Sequence, residues 1–413
     1  MVVLFLASLA IPIVFDVGTL HLSLYRIVLI VGLVPAIIVW VSGAAGKIRL
    51  PDVLVLSLSM WAAIALLANH GLDLAVEPSG IFFIETFGSY LLGRAFVRDV
   101  PSFRTMASSF VYVVIAMVPF AAYQTLTSTP LLLDLLGGVF HVIDAAYSEP
   151  RWGLFRSQGP FEHPILFGVV CAMAVPFGIY TGRTVKSQWW RVARVSLVVL
   201  ALFCSLSVGA FLALGVQLGL MIWGRLTRRI PYRWVILSLA AVTAFLVIDL
   251  LSNRTPFEVF ITYFTFQQDN SYMRVLIWQY GSQNVMQNPV FGLGLRDWVR
   301  PDWMSSSSVD NFWLLQAMRY GFPGVLLVVL TFAACFKSIS TRVADTEIAR
   351  CQFGLLVSLV GVSFALTTVD LWNGSYSLLM FILGSGIWIA DYGPDRKTVR
   401  QFVPARDVAS ESR

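Results

Sequence analysis

Long apolar runs dominate the chain, and its polar residues gather in the gaps between them. A bilayer core needs about 20 mostly apolar residues per helix, and runs of that kind predict about twelve spans. They lie near residues 2 to 16, 25 to 42, 53 to 69, 78 to 97, 105 to 126, 163 to 182, 192 to 206, 208 to 224, 234 to 251, 312 to 336, 352 to 370 and 375 to 391. The first is short and lacks a basic n-region and a small-residue cleavage site, so it reads as a retained helix and not a signal peptide. The expected fold class is an all-α polytopic membrane protein. Helices 1 to 5 would fill residues 1 to 126, helices 6 to 9 residues 163 to 251, and helices 10 to 12 residues 312 to 391, with 392 to 413 as a solvated tail.

Two connections, 127 to 162 and 252 to 311, are far longer than the rest and are expected to carry function. Within the second, SYMRVLIWQYGSQNVMQNP predicts a helix capped by Ser271 and ending before Pro289, and GLGLRDW supplies a glycine turn. Within the first, LLLDLLGGVFHVIDAAY predicts an interfacial helix.

Composition excludes a soluble globule: 57% of residues are hydrophobic and 13% charged, against roughly a quarter charged in soluble domains. The net charge of +6 is mostly a topology signal and implies no nucleic acid. Lys47, Arg49, Arg94 to Arg104, Arg183 to Arg194, Arg225 to Arg233, Lys337 to Arg350 and the tail from Arg396 all fall on one face of the predicted topology. Basic residues are enriched in cytoplasmic loops, so both termini are expected in the cytoplasm. Cys171, Cys204, Cys335 and Cys351 show no CxxC spacing and the four histidines no HxxxH spacing, so neither a disulfide framework, a metal site nor a cofactor is expected.

Arginine breaks the charge rule where lysine obeys it. Lys47, Lys186, Lys337 and Lys397 are all on the cytoplasmic side, yet Arg26, Arg151, Arg156, Arg254, Arg274, Arg296 and Arg300 fall outside, with Arg319 near the outer boundary. A guanidinium fork binds phosphate bidentately as lysine cannot, which fits an anionic, pyrophosphate-like substrate on that face. The structural alternative pairs these arginines with Asp269, Asp297 and Asp302. Glu85, His163, Asp249, Asp370 and Asp16 map to the outer halves of their spans, and charges placed there usually line a cavity.

Two short stretches concentrate the chemistry. In RWGLFRSQGPFEHPILFG, residues 151 to 168, Arg156, Glu162 and His163 precede a helix whose first turn holds Pro164, so capping alone accounts for Glu162. In SSSSVDNFWLLQAMRYGFPG, residues 305 to 324, Asp310 stands at a helix entrance, where an N-cap role contributes about 1 kcal/mol. Counting back about 20 residues from Lys337 places Arg319 just inside the outer boundary and Asp310 two turns above it, on the opposite helix face.

Arg156 with GPFEHP, the SLSVGAFLAL run at 205 to 214, the spaced Arg274, Trp278, Pro289, Gly292 and Gly294, and VDNFWLLQAMRYGFPG together resemble the O-antigen ligase and Wzy-type polymerase superfamily. That resemblance implies a metal-independent glycosyltransferase of GT-C-like fold in the bacterial inner membrane, acting on its periplasmic face. Its donor would be an undecaprenyl-pyrophosphate-linked glycan, and its partners membrane lipids, a glycan acceptor, a flippase and a chain-length regulator. Arg274 matches the pyrophosphate-holding position. The ligases carry a functional histidine where this chain has Asp310, and commonly an arginine where it has Val208, which leaves a polymerase open. The expected roles are Asp310 as base, with Glu162 and His163 in reserve; Arg274, Arg156 and Arg319 on phosphate; and Asn311, Trp278 and Trp313 on sugar. A ligase is the alternative within the superfamily, and a twelve-helix transporter the alternative from another class.

Overall fold

A computed structural model describes residues 1–18, 20–181, 187–252, 259, 268–304 and 306–392. Where a first span is expected over residues 2 to 16, the chain instead forms the short helix α1 (Val2–Ser8) and then an antiparallel hairpin of β1 (Val14–Val17) and β2 (Leu20–Ser23). Pro12 cannot continue the helix, and the β-branched Ile11, Ile13 and Val14 favour extended backbone. There follow α2 (Leu24–Val41) and α3 (Leu50–Phe83), the latter running through a π-turn at Ile84–Gly88 into α4 (Ser89–Phe96). Next come α5 (Val100–Thr127), α6 (Leu131–Gly137), α7 (Pro164–Tyr180), α8 (Gln188–Cys204), α9 (Val208–Leu226) and α10 (Arg233–Leu251). The last are α11 (Gln268–Gln287), α12 (Phe312–Ile339), α13 (Thr346–Ala365) and α14 (Asn373–Ser385). The interfacial helix expected from residue 131 stops at Gly137, where two glycines end it. The expected cap Ser271 lies inside α11, which already runs from Gln268.

Among the described residues eight helices are long and apolar enough to cross a membrane, and the all-α polytopic class holds. One of them, Leu50–Phe96, has 47 residues, about 70 Å as a straight rod. It is not straight. The Tyr90 hydroxyl donates to Asp52 Oδ1 at 2.6 Å, although 38 residues of straight helix would hold them about 57 Å apart. The chain turns back at Gly71 (φ 72°, ψ 178°), a backbone region essentially reserved for glycine. Two antiparallel arms result, matching the separate spans expected over 53 to 69 and 78 to 97.

The same device recurs in α12. Gly321 has φ 71° and ψ −174°, and the rings of Trp313 and Phe332 are 5.1 Å apart where a straight helix would separate them by about 28 Å. Residues 312–320 therefore form one arm of a hairpin and 322–339 the other. The two glycine hairpins grip each other: Trp61 Nε1 donates to the Tyr320 carbonyl at 2.9 Å, and the Phe82 ring lies 5.1 Å from Tyr320. The turn after α11 seals the second hairpin, since Phe322 donates to Pro289, Leu293 to Met318 and Gly294 to Arg319 through backbone bonds of 2.7–3.0 Å.

Helices α7 and α14 are buried along most of their length and form the middle of the bundle, whereas α10 has no buried side chain. One end of the bundle gathers the basic loops. There Arg94 and Asp52 pair at 3.4 Å with no exposure, Arg94 also donates to the carbonyls of Ala45 and Lys47, and Arg49 pairs with Asp391 at 2.6 Å. Arg183, Lys186, Arg254 and the tail with Arg396 and Lys397 lie outside the described residues, as does the side chain of Asp269. The other, far end carries the starts of α2, α7 and α14, the hairpin arm 312–320 and the segments 138–163 and 288–304.

Candidate active site

At the far end the segment 151–163 crosses the bundle. It opens with a tight turn in which Arg151 and Leu154 exchange backbone bonds of 2.9 Å, with φ positive at Trp152 and Gly153. The turn directs Arg151 and Arg156 at the linker between α8 and α9, where Leu206 also takes a positive φ. Arg151 Nη1 donates to the Leu206 carbonyl at 2.6 Å and Arg156 Nε to that of Ser205 at 3.4 Å. These bonds pin both side chains but do not exhaust them: Arg156 Nη2 is buried with no partner, and so is Nε of Arg274 on α11.

Asp310 lies within electrostatic reach of Arg156, Arg274 and His163, and its carboxylate accepts from Ser308 Oγ at 2.8 Å. Among the described residues it forms no ion pair. Burial pulls the Arg156 guanidinium down to about 10, the cation of Arg151 adds to that, and Asp310 opposes it. Arg274 is lowered by burial and Arg151 by burial and by Arg274. All three stay charged at neutral pH. Crowded, half-buried cations with spare donors form a recess that an anion would relieve.

His163 caps α7, its Nδ1 accepting from the Ile165 amide at 3.2 Å. Burial and the Arg156 charge push its imidazole down to about 4, so it is neutral at pH 7. Because a backbone N–H can only donate, the cap fixes the proton on Nε2, and the ring offers a donor to the recess rather than a base.

Beside the recess is a cavity of about 310 Å³ between the arms of α3, the arm 312–320 and the start of α14. A relay runs along its wall. Tyr25 and Arg26 donate to Glu85 at 2.6 and 2.9 Å, Arg26 donates to Asn373 at 2.9 Å, and Asn373 donates to Glu162 at 2.9 Å. Glu85 sits in the π-turn, a bulge common at functional sites, and Asn373 bears φ 52°. Burial raises the Glu162 carboxyl, partly offset by its bond from Asn373. It pushes the Asp370 carboxyl up to about 7 despite the charge of Arg319. Recess and cavity adjoin: the ring of Trp372, in the cavity wall, lies 6.3 Å from that of His163.

The recess thus brings together Arg156, Arg274, His163 and Asp310 from three distant stretches. Glu162 turns away to Asn373. Asn311, not Asp310, caps α12, accepting from the Leu314 amide at 3.0 Å while its amide donates to Thr367 at 3.0 Å. Trp313 packs edge-on against Phe312 and Phe332. Trp278 stands one turn from Arg274 and is 41% exposed. Because α12 folds at Gly321, the expected depths are reversed: Asp310 lies at the base of the arm, beside the end of α13, and the exposed Arg319 at its tip, lining the cavity. Of the other expected ionisable groups, Glu85 and Asp370 line the cavity, whereas Asp16 is exposed and bonded to His21 and His141, and Asp249 is exposed on α10. Arg151 and Arg26 were legible only as members of the outer arginine set. Their roles depend on partners 55 to 347 residues away, which no local pattern reveals.

Residues 193–329 match the O-antigen ligase family model. The chain is thus similar to the O-antigen ligase and Wzy-type superfamily, as its motifs indicate. The matched stretch runs from within α8 into α12 and so holds the Ser205–Ser207 linker, Arg274, Asp310 and Arg319. Arg151, Arg156, His163 and Asp370 lie outside it. No curated protein matches the chain.

Proposed function

We propose that this protein is a glycosyltransferase that polymerises undecaprenyl-pyrophosphate-linked oligosaccharide repeat units on the periplasmic face of the inner membrane, without a metal. The observation that carries this reading is the recess: three converging arginines, two of them with buried unpartnered N–H groups, beside one carboxylate. Arg274, Arg156 and Arg151 hold the pyrophosphate and stabilise the charge that develops on it as it leaves. An acceptor hydroxyl oxygen attacks the anomeric carbon, a new C–O bond forms, and the old bond to the phosphate oxygen breaks with its electron pair leaving on pyrophosphate. The hydroxyl proton passes to Asp310, the carboxylate facing the same recess. His163 donates from Nε2 to an oxygen of donor or acceptor. Trp278 offers an aromatic face to the donor sugar, and Arg319 serves the cavity side. A flippase would deliver the donor and a chain-length regulator would act on the product.

Asp310 and Val208, where the ligases carry histidine and arginine, favour a polymerase. The ligase reading is kept by the description of the matching family. Purified protein in nanodiscs, given lipid-pyrophosphate repeat units, is expected to yield a ladder of lengthening products. Transfer of preformed glycan to a lipid or protein acceptor, with no ladder, would select the ligase. Failure to consume the donor, with a small solute carried across vesicles instead, would sink both. Arg274→Ala should retain the fold and lower the rate by about 10²- to 10³-fold, as loss of one charge-stabilising donor does.

A further inference from the structure

The buried polar atoms without partners differ in kind between the two compartments. In the recess they are donors, on Arg156 and Arg274; in the cavity they are acceptors, Oδ1 of Asp370 and Oε1 of Gln316. An unmet buried acceptor is unfavourable and calls for a ligand that donates. An anion meets the first need and cannot meet the second.

The rest of the cavity narrows the class. Arg26 is engaged with Glu85 and Asn373, and Arg319, the other cation in the lining, faces the carboxylates Asp370 and Glu77. A second negatively charged group is therefore unwelcome, and a neutral, hydroxyl-rich ligand fits. Trp372, 36% exposed, and the stacked rings of Phe82 and Tyr376 provide apolar faces of the sort that carbohydrate C–H faces cover. With about 310 Å³ the cavity is at the lower limit of small-molecule sites. It has room for the end of a glycan and not for its length.

We propose that this cavity is the acceptor subsite, in which the terminal sugar of the acceptor glycan donates hydroxyl hydrogen bonds to Asp370 and Gln316 and lies against Trp372. The inference rests on the transferase reading and adds to it where the acceptor binds and which residues select it. A sugar held against Trp372 lies next to the recess, because the other neighbour of that ring is His163, 6.3 Å away. Gln316 and Arg319 are on the arm 312–320, so the fold at Gly321 is what brings this wall to the site.

The test uses full-length protein in nanodiscs and two probes: lipid-free oligosaccharides released by partial acid hydrolysis of the polysaccharide made by the cells that carry this protein, and inorganic pyrophosphate. Binding of each is measured separately. Gln316→Leu and Asp370→Leu should each weaken oligosaccharide binding by about tenfold, the equivalent of one hydrogen bond lost at a buried acceptor, while pyrophosphate binding stays at the wild-type level. Asp370→Asn, which keeps an acceptor oxygen and nearly the same shape, should recover most of the affinity. Arg274→Ala should show the opposite pattern. Oligosaccharide binding that is absent from wild-type protein able to bind pyrophosphate, or that follows Arg274 and ignores Asp370 and Gln316, would overturn the subsite and leave the transferase reading standing. Wild-type protein that binds no pyrophosphate would overturn the transferase reading and the subsite with it.

Discussion

A carboxyl group in a dry corner is expensive to ionise, and Asp370 is such a group. Burial pushes it from 3.8 up to about 7, with Arg319 only partly offsetting. Below its ordinary value the group is protonated in folded and unfolded chains alike. Between 3.8 and about 7 the folded protein keeps a proton that the unfolded chain has lost, so stability falls as pH rises, and above about 7 the whole cost is present. The shift bounds that cost at about 4 kcal/mol. Asp370→Asn removes the ionisation, so its thermal unfolding midpoint should decline less than that of the wild type between about pH 5 and about pH 8. Parallel declines would show that Asp370 pays no such cost. The same residue illustrates what sequence offers at this scale. Its position at the edge of a span marks it as unusual, but the facing Gln316 and Arg319 come from a helix whose fold the sequence pattern hides.

Two glycines decide the shape of the elements that build the site. At both Gly71 and Gly321 the backbone lies where an L-residue is strained by about 1–3 kcal/mol. A Cβ at Gly71 would meet open space, whereas one at Gly321 would stand 2.1 Å from the Val290 carbonyl oxygen. Gly71→Ala should therefore lower stability by the strain alone and keep activity. Gly321→Ala should also displace the turn 289–294, open the cavity wall and abolish ladder formation in protein that still inserts. Equal behaviour of the two variants would refute this account of the second hairpin. Apart from residues 2 to 16, where a short helix and a hairpin form, hydropathy found apolar helices because bilayer thickness sets their length, and it separated the arms of α3 because Asn69, His70 and Asp73 mark the bend. It failed at Gly321. The run Arg319-Tyr320-Gly321-Phe322-Pro323 carries a charge and two helix breakers, but apolar residues flank it closely, and a count at constant rise through it put Asp310 outermost. That is why the recess was legible as a set of arginines with Asp310 and a cavity was expected from Glu85 and Asp370, while the wall that Gln316 and Arg319 give that cavity was not legible.

Across the whole molecule, charge type follows the ends. The end with Lys47, Arg49, Arg98, Lys337 and Arg342 holds its basic residues in loops and in pairs with Asp52 and Asp391 that tie α2, α3, α4 and the chain after α14 together. The far end holds arginines turned inward on a recess. If loop charge fixes orientation, the first end is cytoplasmic and the recess opens to the other side, where a lipid-linked donor would be presented. The four native cysteines are all buried, so one introduced cysteine reports its own side of the membrane. Gln283 on α11 and Ala344 in the loop between α12 and α13 are exposed at opposite ends. A membrane-impermeant maleimide should label Gln283→Cys in cells with a permeabilised outer membrane and Ala344→Cys only after the inner membrane is opened. The reverse pattern would turn the recess toward the cytoplasm, where nucleotide sugars and not translocated lipid-linked glycans are the available donors, and the polymerase mechanism would have to be abandoned.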